Sequence, residues 1–288
     1  MAETRAQLQH HYLEGSPRLH YTLTGASQER TVVLLHGSTQ HAGAWDDVAA
    51  LLTGYRLASL DLRGHGGSEW NGAYSPAGYL SDVARMVDAL DRPRVALIGH
   101  SMGSLVAMQY ASQRLERLWA AGFVDIDARP PDSQAEHLHT AGAREGRTYA
   151  TVEEAEQRMR RLRPDADGPV IERMRRASLI EGDDGAFREC YDRGTIAQFH
   201  QWDNRELLPG ITCPSLVLRG AESAVHGAEA AAAMTAALPD ATFHEIEHAS
   251  HLLHVERPEA VAEVLQRFLD DAWDATSNDA PNDTGRGA

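Results

Sequence analysis

Gly99-His100-Ser101-Met102-Gly103 is the stretch whose residue types and spacing point most directly to chemistry. A serine hydroxyl serves as a nucleophile when a tight turn lifts it out of a strand and sets it at the amino end of a helix, where the dipole favours developing negative charge. Small residues on either side permit that turn, because it is strained and closely packed. The surroundings agree: Val95-Ala96-Leu97-Ile98 before it is a buried-strand run, and Met102 to Gln113 after it carries helical spacing. A serine still needs an imidazole to take its proton. His248, His251 and His254 near the C-terminus are candidates for that base. Three histidines at intervals of three could also suggest a metal site, but such sites are better supported by a carboxylate and further partners, so no metal and no cofactor is expected.

These groups must be positioned by a sheet. Val32-Val33-Leu34-Leu35, Arg56 to Leu60, Val95 to Ile98 and Ala120 to Ile126 are short and largely apolar, as strands buried on both faces are. Between them Ala44 to Leu52, Tyr79 to Leu90 and Met102 to Gln113 have helical periodicity, which gives a βαβ rhythm and a parallel sheet. The rhythm stops at about Ala128. As far as Leu208 there is no buried-strand run, only charged helical segments punctuated by Pro130-Pro131, Pro164 and Gly182, so this stretch reads as an all-helical insertion. It resumes with Ser215 to Leu218, a helix from Ala228 to Leu238, the strand Ala241 to Ile246 and a helix from Pro258 to about Ala272. The domain reading is a core of residues 1–127 and 209–274, a cap of 128–208, and a tail of 275–288 whose Asn, Asp, Gly and Pro content predicts disorder.

The composition narrows the partners. In 288 residues, 27 basic side chains, all arginine, stand against 42 acidic ones, a net charge of −15 that argues against nucleic acid or an anionic membrane as the principal partner and leaves a small-molecule substrate. The first residues contain no apolar signal core, and the longest uncharged apolar stretch, Leu118 to Val124, is far shorter than the roughly 20 residues of a membrane span. Cys190 and Cys213 are too few for a disulfide framework, so a reduced cytoplasmic setting is expected.

Together with the Gly99 to Gly103 motif, His36-Gly37 after a buried strand, the run Asp61-Leu62-Arg63-Gly64-His65-Gly66-Gly67-Ser68, and His251 followed by Glu256 and Pro258 resemble, in the same order, motifs of the α/β-hydrolase superfamily. The resemblance spans about Leu19 to Ala272 and implies an α/β-hydrolase fold, with the cap inserted after the sixth strand. It implies Ser101 as nucleophile, His251 as general base, and the backbone N–H groups of Ser38 and Met102 as an oxyanion hole. Ser104 departs from the family, where many relatives carry a third glycine. The usual position of the acid, three residues after Gly220, holds Ser223, which cannot supply a charge. Some members place the acid after the sixth strand instead, which selects Asp125, with Asp127 and Glu222 as alternatives.

Other residues have plainer readings. Asp61, Arg63 and His65 are expected to support the loop, Trp45 to pack, and Arg158, Arg160, Arg161 and Arg163 to lie on a solvated helix paired with Glu153, Glu154 and Glu156. Phe199 and Trp202, where the cap returns to the core, are candidates to line the substrate pocket. The expected activity is hydrolysis of an ester, lactone or thioester through an acyl-enzyme. A carbon–carbon bond hydrolase, a natural-product cyclase, a cofactor-free oxygenase and a non-catalytic receptor are alternatives on the same fold.

Overall fold

Along the central strands the apolar side chains alternate between two buried faces, the period-2 pattern of a pleated strand covered on both sides. Val33, Leu35, Leu97, Phe123 and Val217 enter one apolar cluster, while Val32, Leu34, Ala96, Ile98, Val124 and Leu218 enter the other. A computed structural model describes residues 8–277. It contains an eight-stranded sheet built from β1 (Gln9–Leu13), β2 (Leu19–Thr24), β3 (Thr31–Leu35), β4 (Arg56–Leu60), β5 (Val95–His100), β6 (Leu118–Val124), β10 (Ser215–Gly220) and β11 (Ala241–Ile246). The spatial order is β1-β2-β4-β3-β5-β6-β10-β11. β2 pairs antiparallel with both β1 and β4, and all other pairings are parallel.

Side chains from the helices Pro76–Ala89, Met102–Gln113 and Ala228–Ala237 join the first cluster, and those from Asp46–Ala49 and Pro258–Ser277 join the second. The start of Pro76–Ala89 shows how locally such an element is encoded: Ser75 Oγ accepts from Gly78 N at 3.1 Å, and Pro76 takes the first turn, where its missing N–H costs nothing. The expected helix from Ala44 to Leu52 is shorter than its periodicity suggested, a 3₁₀ turn over Ala42–Trp45 followed by Asp46–Ala49. Strands β1 and β2 have no counterpart in the sequence reading: β1 is a partly exposed edge strand without a buried apolar run, and β2, Leu19–Thr24, buries the polar His20 and Thr22 among its apolar residues.

The cap is not all helical. It has helices over Asp132–Gly142, Val152–Leu162 and Gly168–Ser178, but also an antiparallel three-stranded sheet of β7 (Thr148–Tyr149), β8 (Leu179–Glu181) and β9 (Phe187–Glu189), in the order β7-β9-β8. These strands are two or three residues long and face a small cluster of Ala155, Met159, Ile171, Leu179 and Phe187, too short to show a period in sequence. The β8–β9 turn places Gly185 at φ +74°, a conformation that favours glycine. The last helix runs to Ser277, so residues 275–277 are helical, and the rest of the expected tail lies outside the described residues. Among the described residues no helix is long and apolar enough to cross a membrane.

Candidate active site

β5 and β6 end side by side, and the chain leaves each in an unusual conformation. Ser101 sits at φ +51°, ψ −119°, between β5 and the helix Met102–Gln113, and Asp125 sits at φ +54° immediately after β6. Non-glycine residues rarely hold positive φ, and where they do the surrounding structure must over-determine it. Ser101 N donates to Val124 O at 2.9 Å, and Asp125 N donates to Leu218 O at 2.8 Å. The glycines of the elbow are required by close approach. A Cβ on Gly99 would lie 2.3 Å from the backbone of Gly103, and one on Gly103 would lie 2.6 Å from Leu35 O. Ser104 uses its hydroxyl here: Oγ donates to Gly99 O at 2.6 Å and accepts from Val124 N at 2.9 Å, stitching the elbow to the end of β6.

His251 lies in the loop between β11 and the last helix, and its Nδ1 donates to Asp125 Oδ2 at 2.7 Å. Asp125 is fully buried. Its Oδ1 accepts from Gly220 N at 2.8 Å, and its Oδ2 also accepts from Ser223 Oγ at 2.5 Å. Ser223, where the superfamily usually has its acid, is thus a donor to Asp125. With Nδ1 committed to the carboxylate, the neutral imidazole keeps its lone pair on Nε2, the tautomer a general base needs. His100, the neighbour of Ser101, packs its ring 4.7 Å from that of His251 and donates Nε2–H to His251 O at 2.8 Å, so elbow and histidine loop are joined directly.

The loop after β3 closes on the same place. A Cβ on Gly37 would lie 2.9 Å from His100 Nδ1, and Gln40 Oε1 accepts from Gly37 N at 3.2 Å while lying 3.0 Å from His100 Nδ1. Ser38 follows in this turn, its carbonyl 2.9 Å from His65 Nε2. Met102 opens the helix, where backbone N–H groups lack intrahelical partners. Asp61 accepts from Ala42 N at 2.6 Å, Gly67 N at 2.8 Å and His20 Nδ1 at 2.7 Å, while Arg63 holds Asp82 with two bonds of 2.8 and 2.7 Å. Burial would raise the Asp61 carboxyl, but the His20 hydrogen bond and neighbouring imidazoles outweigh it and hold it at about 2. These residues shape the loop that carries His65.

The competing candidates go elsewhere. His248 is exposed and lies 3.7 Å from the exposed Glu222. His254 is fully buried against Trp45 and His100, and burial brings its imidazole down to about 3. Asp127 approaches His226 rather than His251. Phe199 and Trp202 are buried in the large apolar cluster that also holds Met102.

Arg163 departs from the solvated role expected of it. It leaves the end of the cap helix Val152–Leu162 and pairs with Glu256, and its Nη1 donates to Ser250 Oγ at 2.9 Å. Glu256 in turn accepts from Ser250 N and Ser250 Oγ, both at 2.7 Å, and Ser250 precedes His251. Arg173 adds a 2.7 Å bond from Nε to Val255 O. The cap therefore holds the segment that carries the histidine. Nothing in the spacing of Arg163 revealed this, because its partner lies 93 residues away.

Comparison with known proteins gives this geometry a context. The model of the Alpha/beta hydrolase family matches residues 32–264. A serine hydrolase-like protein of Danio rerio is 26% identical, over 91% of this chain and 88% of its own length. The esterase YbfF of Escherichia coli is 24% identical, over 83% of this chain and 93% of its own. The crystal structure of an alpha/beta hydrolase from Novosphingobium aromaticivorans superposes with a TM-score of 0.81 at 25% identity, covering 92% of this chain and 99% of that one.

Proposed function

Because this chain belongs to the alpha/beta hydrolase family, we propose that it is a serine hydrolase cleaving an ester, lactone or thioester of a small, largely apolar molecule through an acyl-enzyme. The observation that carries this reading is the 2.7 Å hydrogen bond from His251 to the buried Asp125, beside the elbow that presents Ser101. His251 Nε2 takes the hydroxyl proton as Ser101 Oγ attacks the acyl carbon, and Asp125 stabilises the resulting imidazolium. The Ser38 and Met102 N–H groups receive the oxyanion, and the imidazolium protonates the leaving oxygen or sulfur as the bond to the acyl carbon breaks. His251 then deprotonates a water that attacks the acyl-enzyme, and collapse of the second intermediate returns the proton to Ser101. Phe199 and Trp202, which share an apolar cluster with Met102, bound the acyl side. The relative named as an esterase supports the bond class, and the substrate is a small molecule.

The test is intact mass after treatment with a fluorophosphonate, on the wild type and on Ser101→Ala, with turnover of p-nitrophenyl acetate and butyrate measured on both. One adduct per chain on the wild type, and neither adduct nor turnover in the variant, is the expected result. A folded wild type that takes no adduct and hydrolyses neither ester would overturn the acyl-enzyme reading.

A further inference from the structure

A cleft of about 360 Å³ opens at the root of the cap, between the chain entering it, the segment leaving it and the helix Ala228–Ala237. That volume is within the ~300–1,000 Å³ of small-molecule sites. Its walls are apolar, with Leu208, Ala233 and Met234 prominent, and its polar groups are Asp127, Arg129 and Arg205. The two arginines already have carboxylates: Arg129 lies 2.9 Å from Asp132, and Arg205 lies 2.6 Å from Asp203. Among the described residues Asp127 pairs with no arginine. Behind it stands His226, fully buried, with Nε2 3.2 Å from Asp127 Oδ1 but not aligned for a hydrogen bond. Among the described residues neither ring nitrogen of His226 has a hydrogen-bond partner, nor has Asp127 Oδ1. A buried polar group in this state calls for a partner, an ordered water, an ion or a ligand.

The charges around the pair are Asp125, His251 and Arg219 on the inner side, with Arg129 and Arg205 on the outer side. Burial lowers the His226 imidazole to about 4, so it is uncharged at neutral pH and cannot neutralise its neighbour. Burial, helped by the charge of Asp125, raises the Asp127 carboxyl to about 6. The cleft is thus lined by a carboxylate that is ionised at neutral pH and, among the described residues, lacks a positive partner, beside apolar side chains. An alcohol would bring one donor and no charge, whereas an ammonium supplies both the charge and several donors.

We propose that Asp127, backed by His226, is a recognition site for a primary or secondary ammonium group carried on a short apolar chain, the chain lying against Ala233 and Met234. The inference does not rest on the acyl-enzyme reading.

The test is isothermal titration of the full chain with hexylammonium, 1-hexanol and hexanoate, on the wild type, Asp127→Asn and Ser101→Ala. Hexylammonium is expected to bind at least tenfold more tightly than hexanol at pH 7.5, and Asp127→Asn to abolish that preference. Between pH 7.5 and pH 5 the ammonium affinity should fall about tenfold as Asp127 takes up its proton. Ser101→Ala should bind as the wild type does, because Ser101 does not line the cleft. Equal binding of hexanol would overturn the proposal in favour of an apolar groove. Tighter binding of hexanoate would overturn it in favour of the arginines, and no binding of any probe would overturn it outright. If Asp127→Asn does not fold, the pH dependence on the wild type decides alone.

Discussion

Replacing Arg163 with methionine keeps the apolar stem of the side chain and deletes the guanidinium that ties the cap to the histidine loop. Glu256 then remains almost fully buried, at 5% exposure, with only Ser250 N and Ser250 Oγ as donors. Removing one partner of a fully buried ion pair costs about 3–5 kcal/mol. Here the arginine side chain is 33% exposed and solvent screens the pair, and Glu256 keeps two hydrogen bonds, so the expected loss is about 1–2 kcal/mol. The effect should not stop at stability, because Ser250 and His251 are consecutive. A base displaced by a fraction of an ångström loses part of its near-attack geometry, and 1 Å can cost about 10²-fold. We expect kcat on p-nitrophenyl butyrate to fall about tenfold, with KM changing less than threefold. Urea denaturation gives the stability change, and steady-state kinetics on fully folded protein gives the catalytic one. Arg163→Lys should recover part of both, because the two bonds come from one nitrogen, Nη1, and an ammonium on a shorter stem keeps the charge while reaching less far. A variant within 0.3 kcal/mol (about the error of such a comparison) and with unchanged kcat would refute the reasoning that the cap positions His251.

Asp125→Asn should reduce kcat by about 10⁴ while the protein stays folded, because an asparagine cannot hold the Nδ1–H tautomer of His251 or stabilise its imidazolium; circular dichroism with single-turnover kinetics checks it. Ser223→Ala removes one of three hydrogen bonds to the same carboxylate and should lower kcat about tenfold, from the loss of a charge-assisted bond of ~1.5–3 kcal/mol that is partly offset by water, with fluorophosphonate labelling of Ser101 slowed in parallel. His36 and His254, buried and held at about 3, and His226, at about 4, stay neutral in the folded chain but take up protons when it unfolds, so each contributes stability that is lost as pH falls from 6.5 toward its folded value. Asp46 and Asp127, both raised to about 6, act in the opposite sense between about pH 6 and 4 but are fewer. Urea midpoints measured from pH 7 to pH 4.5 should therefore decline, and a flat or rising profile would contradict this balance.

Much of the fold was legible because its signals are local. Buried parallel strands need continuous apolar runs, and the run Arg56 to Leu60 matches its strand residue for residue. The elbow was legible because strand, Gly-x-Ser-x-Gly and helix are adjacent in the chain, and Met102 to Gln113 is the helix itself. The exposed edge strand β1 and the short cap strands left no such trace, since elements with one exposed face or with three residues carry too few apolar positions to define a period.

Residue chemistry and motif order, with the family resemblance they carry, pointed to Ser101, an acid and His251 as one candidate arrangement on an α/β sheet. The tertiary structure decided the partners. It put Asp125 rather than Asp127 or Glu222 against His251, turned Ser223 into a donor to that acid, and set Ser104 as a clamp between β5 and β6. It also carried Arg163 across 93 residues to the loop of His251. The physical reason is range: backbone preference and periodicity act over a few residues and are written in the local sequence, whereas a hydrogen bond or ion pair depends on which side chains the packed chain brings within about 3 Å, whatever their separation along it.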